Sequence, residues 1–422
     1  VTLFVFSNNL LMMIGWDFSG PEGGVFMSMH PTTYLLFFLT VFTAFIRRGK
    51  SVIYYNNIKN LYLPLSIMSV VSLSLAFYLD RKSTGAISIS IVTYLTAAML
   101  LYNIQFLEGE AAARNFIMRF IRVFFIVNSG VGIIEYVTGW RLLVYYAGAE
   151  VVTFDPRPTA LLGHPLNDAM LTTFWLIILI ASQINARISG ARIAEIVLLS
   201  ASVPSFGGRA SSVFGLVVAA LYLFRHSGII FRTRFSKAIR VYLFILGGAI
   251  ALFAMVSLGF MDTLFDRFDN ADKSTQTRVS IIQLLDLMTP SEWLQGVDAT
   301  ARNIYLTALE TPYGIESGPA ALIFAYGVPV AICLLLAVYI VLYKLAAHSG
   351  PGARYAVLFF FITTITSLSI GSKTLLLSQT ICILIAAKVM SERDRHLAGS
   401  GLNFGTDATI QTARAAEATR PS

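Results

Sequence analysis

The sequence predicts an all-α protein that crosses a membrane about twelve times. Three observations lead there. Of the 422 residues, 56% are hydrophobic and only 13% are charged, with a mean hydropathy of +0.71, whereas a soluble domain carries about a quarter charged residues. Apolar runs approaching the ~20 residues that a hydrocarbon core demands recur along the whole chain. The basic residues, finally, gather in alternate connections between those runs.

Taken in order, the candidate spans lie near 1–14, 31–46, 60–79, 86–104, 117–137 and 168–184. Six more follow near 193–205, 211–225, 240–260, 319–344, 354–370 and 374–390. The first is short, and the chain opens on Val1 rather than Met. The pair flanking Arg209 is also short, so a bend or a partial crossing is expected there. Cys333 and Cys382 both lie inside apolar runs. They read as buried small hydrophobes rather than as a disulfide or a metal site.

Lysine and arginine set the orientation. With both termini cytoplasmic, 21 of the 31 basic residues fall on the inner side, including the run Arg225, Arg232, Arg234, Lys237 and Arg240. The net charge of +8 is then a topology signal, and a nucleic-acid partner is set aside. Two outer segments are long, about 138–167 and 261–318. The second contains "RVSIIQLLDLM", with apolar residues at 281, 282, 284, 285 and 288 in helical spacing. Residues 1–390 form one transmembrane unit. The polar, small-residue-rich tail 391–422 reads as disordered and cytoplasmic. There is no internal repeat, signal-peptide cleavage site or soluble catalytic domain.

Few residues in so apolar a chain invite chemistry. In "PSFGGRASS", Pro204 and the glycines end one helix, and Arg209 with Ser211 and Ser212 opens the next. A helix start offers free N–H groups, and arginine adds a planar donor fork matched to phosphate. This is an anion cradle or, on the plainer reading, a solvated turn whose arginine reaches to the interface. The first long outer segment ends in "FDPRPTALLGHPLNDAM", where Pro156, Pro158 and Pro165 stiffen a stretch carrying Arg157 and His164. That suits holding a charged substrate, or it is an ordinary solvated loop. His164 has no second ligand at metal spacing. Arg278 precedes the amphipathic stretch of the second outer segment. Glu316 stands just before a span, as a general base or, with Ser317, as the cap of the following helix. Glu135 sits at the outer end of its span. Arg157, Arg209, Arg278 and Glu316 all fall on the outer side, a set suited to a diphosphate and a hydroxyl to be activated.

Over roughly residues 115–390 the chain resembles the O-antigen polymerase and ligase superfamily, the Wzy-type polymerases and WaaL-type ligases of bacterial envelopes. That family carries Arg, then Gly, then Pro-Asn and a small residue before a middle span. "RPTALLGHPLNDA" supplies Arg157, Gly163, Pro165 and Ala169, with Leu166 where Asn is usual and the glycine shifted. Arg209 matches the family's Ser-Arg turn, and Arg278 its arginine early in the large periplasmic loop. The ligases' His-Asn, with Gly eleven residues after the His, corresponds here to Glu316, Ser317 and Gly327. The missing histidine points toward polymerase.

The resemblance implies glycosyl transfer at the periplasmic face of the inner membrane, without metal or other cofactor. The substrates would be oligosaccharide repeat units linked to undecaprenyl diphosphate, built into exopolysaccharide, capsule or O-antigen. In that scheme Arg209 and Arg278 meet the leaving diphosphate, Arg157 with His164 holds the lipid-linked substrate, and Glu316 orients or deprotonates the attacking hydroxyl. A chain-length regulator and export proteins are candidate partners. A ligase-type glycan transferase and a transporter of lipid-linked sugars or anions are the alternatives.

Overall fold

A computed structural model of the chain describes residues 1–16, 29–46, 67–69, 88–104, 111–147, 150–151, 157–182, 190–215, 283–298, 317–365 and 370–392, with a few single positions between them. Among these the architecture is all-helical apart from one minimal antiparallel pairing of two-residue strands, β1 (Tyr146–Ala147) with β2 (Glu150–Val151). The candidate spans near 60–79 and 240–260 and the tail beyond 392 lie almost wholly outside the described residues.

The chain begins with two short helices, α1 (Thr2–Val5) and α2 (Asn8–Met13). The expected span over 1–14 is therefore interrupted, because the Ser7 side chain accepts the Leu10 N–H and starts a new helix in mid-segment. Helix α3 (Pro31–Ile46) pairs with α4, which covers 88–104. The stretch Ser90–Leu95 of α4 is wound as a π-helix and Thr96–Ile104 as an α-helix. Helix α5 (Ala111–Thr138) has no proline to break it, and Gly139 ends it in a left-handed conformation, its N–H returning to the Glu135 carbonyl.

Helix α6 (Pro165–Ser182) is the centre of the bundle. Every residue from Asp168 to Ile180 is buried, the signature of a helix enclosed on all sides. Around it stand α5, α7 (Gly190–Ser205) and α12 (Pro351–Ile365). Helices α5 and α6 run antiparallel, with the Phe125 ring stacked on Trp175. Helices α5 and α7 run parallel, since Arg122 pairs with Glu195 at one end and Ser202 donates to Ser129 at the other. Helix α12 approaches α6 closely at Gly352, where a Cβ would lie 2.2 Å from that of Ala181.

The expected span 319–344 divides at Gly327. Helix α10 (Gly318–Tyr326) stops there, Gly327 takes φ +79°, and α11 (Val328–His348) starts with Pro329 in its first turn. At 21 residues, α11 alone reaches about 31 Å, which matches a hydrocarbon core. The helix long enough to cross is thus 328–348, and α10 is a separate element before it. The short helix α9 (Pro290–Gln295), closed by a Thr289–Glu292 capping box, docks there, with the Val297 N–H bonded to the Phe324 carbonyl. The helical stretch anticipated near 281–288 ends by 286 in the structure, and Ile281, Leu284 and Met288 pack against Ala320, Ala321 and Phe324. Cys382 is half-buried, but Cys333 is exposed, a correction to its expected burial: it lies on the outward side of α11.

Among the described residues two helices, α5 over Ala112–Thr138 and α11, are long and apolar enough to cross a membrane. Charge divides between the two ends of the bundle. The N-terminal ends of α5 and α7, the turn joining α11 to α12, and the C-terminal end of α13 (376–392) carry Arg114, Arg119, Arg122, Arg192, Lys344, Arg354 and Lys388. The opposite end carries Arg141, Arg157, Arg209 and Lys373.

His30, fully buried just before α3, ties this opposite end together. Its Nε2–H donates to the Phe6 carbonyl at 2.7 Å, and its Nδ1 accepts the Thr32 N–H at 3.1 Å. Burial, assisted by Lys373, lowers its pKa from 6.5 to about 4, against the opposing pull of the Phe6 carbonyl. The folded state therefore keeps the ring neutral where the unfolded chain already takes up a proton. This contribution is fully present above pH 6.5 and is lost as the pH falls from 6.5 toward 4, amounting to roughly 3 kcal/mol. Equilibrium unfolding in detergent should show that acid slope, and His30→Gln should flatten it.

Candidate functional site

The site grows from one carboxylate. Glu135, on the last turn of α5, is 3% exposed, and three backbone N–H groups converge on it. Leu142 donates to Oε1 at 2.7 Å, and Thr159 and Ala160 each donate to Oε2 at 2.9 Å. A buried carboxylate is tolerated only when it is so satisfied. The bonds also hold Ala160 at φ +37°, a conformation L-residues avoid. The Thr159 hydroxyl donates to the Leu143 carbonyl, the Leu161 N–H to Asn128 Oδ1, and the Asn9 amide to the Gly163 carbonyl. The segment 157–164 is thus a fixed cover over the bundle, not a solvated loop.

That cover presents two of the anticipated residues. Arg157 is half-buried at its start and His164 half-buried at its end, where the Asp168 N–H bonds to the His164 carbonyl and α6 begins. The His164 ring stands edge-on to Tyr145, centroids 5.7 Å apart.

Arg209 opens α8 (209–215) beside the same helix start. Pro204 sits inside the last turn of α7 rather than ending it, and the chain turns through Phe206 and Gly207. The Ser212 N–H closes on the Gly208 carbonyl, which leaves the N–H groups of Arg209, Ala210 and Ser211 ahead of the first helical bond. Two close approaches set this turn. A Cβ on Gly208 would lie 2.6 Å from that of Ala169, and one on Gly132 would lie 2.4 Å from the Phe206 ring. Phe206, Ala160 and Ala169 form one buried cluster. Cover, α6 start and Arg209 turn therefore pack on shared side chains, and the end of the bundle that bears them holds Arg157, His164 and Arg209 together.

Arg278 and Glu316 lie outside the described residues. Ser317 occupies the N-cap position of α10, yet its side chain makes no capping bond and the first turn contains no acid. The helix-capping reading of the Glu316–Ser317 pair is not realised through Ser317. Among the described residues no three His, Cys, Asp or Glu side chains converge to hold a metal.

Sequence reasoning noticed Glu135 without giving it a role, and it passed over Asn128 and Asp168. Asp168 lies in the first turn of α6 and is fully buried. Its polar neighbours are the Asn128 amide, Glu135 and the backbone of Leu162 and His164, but neither carboxyl oxygen reaches a partner in hydrogen-bonding geometry. An acid at the edge of an apolar run is the signal that would have found both carboxylates.

Glu135→Gln retains one acceptor oxygen for three donors. We expect a loss of roughly 2–4 kcal/mol, the worth of one or two hydrogen bonds to a charged group. It would appear as a lower unfolding midpoint and as new protease cleavage within 157–164.

No family model matches this chain, and no curated protein is similar to it in sequence, so the reading of the site rests on its residues.

Proposed function

We propose that the chain is a polytopic inner-membrane glycosyltransferase that joins undecaprenyl-diphosphate-linked oligosaccharide repeat units at the periplasmic face. The observation that carries this reading is the acid-anchored cover, which brings Arg157 and His164 to the same end of the bundle as the helix start bearing Arg209. A diphosphate needs fixed cations, and this end holds Arg157 and Arg209. The unequal charge of the two ends supports the orientation with both termini cytoplasmic. The outward Phe37, Phe38, Phe42 and Phe45 of α3 and Ile332 and Leu336 of α11 suit a hydrocarbon surround. About twelve crossings accommodate the whole chain.

In the reaction, the bond between the donor sugar's C1 and the diphosphate oxygen breaks. A hydroxyl oxygen of the acceptor repeat unit bonds to C1, its proton is released, and undecaprenyl diphosphate departs. Arg209, with Arg278 from the second outer segment, stabilises the charge that grows on the diphosphate. Arg157 and His164 hold the lipid-linked substrate. Glu316 stands ready to orient the acceptor hydroxyl.

A transporter is the second reading, favoured by one observation. The π-helical stretch of α4 meets the break between α10 and α11, with Ser90 donating to the Tyr326 hydroxyl, and interrupted helices mark many transport sites.

A deletion strain complemented with variants, its glycans sized on a gel, separates these readings. Wild type should restore a ladder that collapses to one lipid-linked repeat with Arg209→Ala and equally with Arg209→Lys, because a point charge does not replace a bidentate fork. Full-length glycan stranded on the carrier lipid would mean a ligase. Lipid-linked oligosaccharide moved without change in length would mean a transporter. Glu316→Gln as active as wild type would remove that residue from the mechanism.

A further inference from the structure

One side of α6 is polar throughout its upper half and unsatisfied by the protein. Asp168, Thr172 and Trp175 follow at spacings of four and three, which places them on one helix face. All three are 0% exposed, as is Asn128, which α5 presents one turn from the Phe125 ring that stacks on Trp175. Both carboxyl oxygens of Asp168, Oγ1 of Thr172, Nε1 of Trp175 and Nδ2 of Asn128 have no hydrogen-bond partner in the protein. Two other buried threonines return their hydroxyls to the preceding turn: Thr363 bonds to the Phe359 carbonyl and Thr380 to that of Leu376. Thr172 does not.

Orphaned polar atoms in a close-packed interior are rare and costly, so a file of them implies a guest. The guest's chemistry follows from the donor set. Trp175 and Asn128 Nδ2 only donate, a carboxylate at Asp168 would only accept, and Thr172 does either. Donors repel a cation and a carboxylate repels an anion. A neutral hydroxylic guest satisfies both, and internal water is the one that fits between packed helices. The file extends about 10 Å along α6 and begins directly under the cover that bears Arg157 and His164.

We propose that Asp168 is the proton-accepting group of this site, reached through internal water held by Asn128, Thr172 and Trp175. The inference rests on the glycosyl-transfer reading above. Glu135, the other carboxylate beside it, already accepts three N–H groups, whereas both Asp168 oxygens are open. The groups that act on Asp168 are Glu135 and the Asn128 amide on α5 and the backbone of Leu162 and His164 on the cover. As the acceptor oxygen bonds to C1 and the C1–diphosphate bond breaks, the hydroxyl proton passes through water to the Asp168 carboxylate. It returns by the same path to solvent or to the departing diphosphate.

Two measurements on the full chain in nanodiscs test this. Hydroxyl radicals from X-ray radiolysis of water, read by mass spectrometry, should oxidise Trp175 despite its burial, and Thr172→Val should reduce that labelling several-fold. The equally buried Phe174 and Phe206 should stay protected. Trp175 as protected as those rings in wild type would overturn the hydrated file. Polymerisation of purified lipid-linked repeat units should fall about 100-fold or more in Asp168→Asn, with lipid-linked substrate binding unchanged, while Asp168→Glu retains activity with a displaced pH profile. Asp168→Asn matching wild type at every pH would overturn the proton role. If wild type itself makes no polymer, the glycosyl-transfer reading fails and the proton role falls with it, while the Trp175 labelling still decides the hydrated file.

Discussion

Everything at the end of the bundle that carries Arg157 and Arg209 depends on how a buried carboxylate is satisfied. Glu135 ends the longest helix of the described structure in an environment that would not tolerate an unpaired charge. Its partners are backbone groups from two later stretches of chain, at Leu142 and at Thr159–Ala160. Each bond therefore fixes the path of the main chain, not only a side chain. The left-handed Ala160, which costs roughly 1–2 kcal/mol in isolation, persists because its N–H is one of the three donors. From that anchor follow the position of Arg157, the entry into α6 at His164, and the shelter over Asp168.

The second constraint is closeness. Helix α6 is enclosed by α5, α7 and α12, and it meets its neighbours through small residues: Gly352 against Ala181, and Gly208 against Ala169. Without water to drive association between helices, packing of this kind supplies the attraction. It also relays position. Phe206 fills the space left by Gly132 and touches the cluster of Ala160 and Ala169, so the Arg209 turn and the cover share one packed support. Chemistry that needs several cations held at fixed separations gains from such a common base.

The irregular stretches of backbone are not scattered. The interruption at Ser7, the π-helical part of α4, the left-handed Ala160 and the break at Gly327 lie toward the end of the bundle that carries Arg157 and Arg209. The opposite end carries the ion pairs Arg122–Glu195 and Arg114–Glu392. Irregular main chain inside a membrane protein is sustained only where protein or a polar cavity satisfies it, and here the protein does so. Thr93 bonds to the carbonyls of Ser372 and Thr374, Tyr94 to that of Ile370, and Gln379 to that of Leu3.

By itself the sequence determined the helical class, the approximate positions of α3 to α7 and α12, and the separation of charge between the two ends. These are properties of composition and short-range periodicity, readable residue by residue along the chain. It also singled out Arg157, His164 and Arg209, because charge stands out in so apolar a context. Tertiary structure alone decided that 1–14 is interrupted, that 319–344 divides at Gly327, and that the segment 157–164 is a packed cover. It alone aligned Asp168, Thr172 and Trp175 with Asn128 across two helices. The physical reason is sequence distance. Glu135 reaches its cover across 24 and 25 residues, and Asn9 reaches Gly163 across 154. No local pattern encodes which distant N–H will meet a carboxylate, since that depends on how the whole bundle packs.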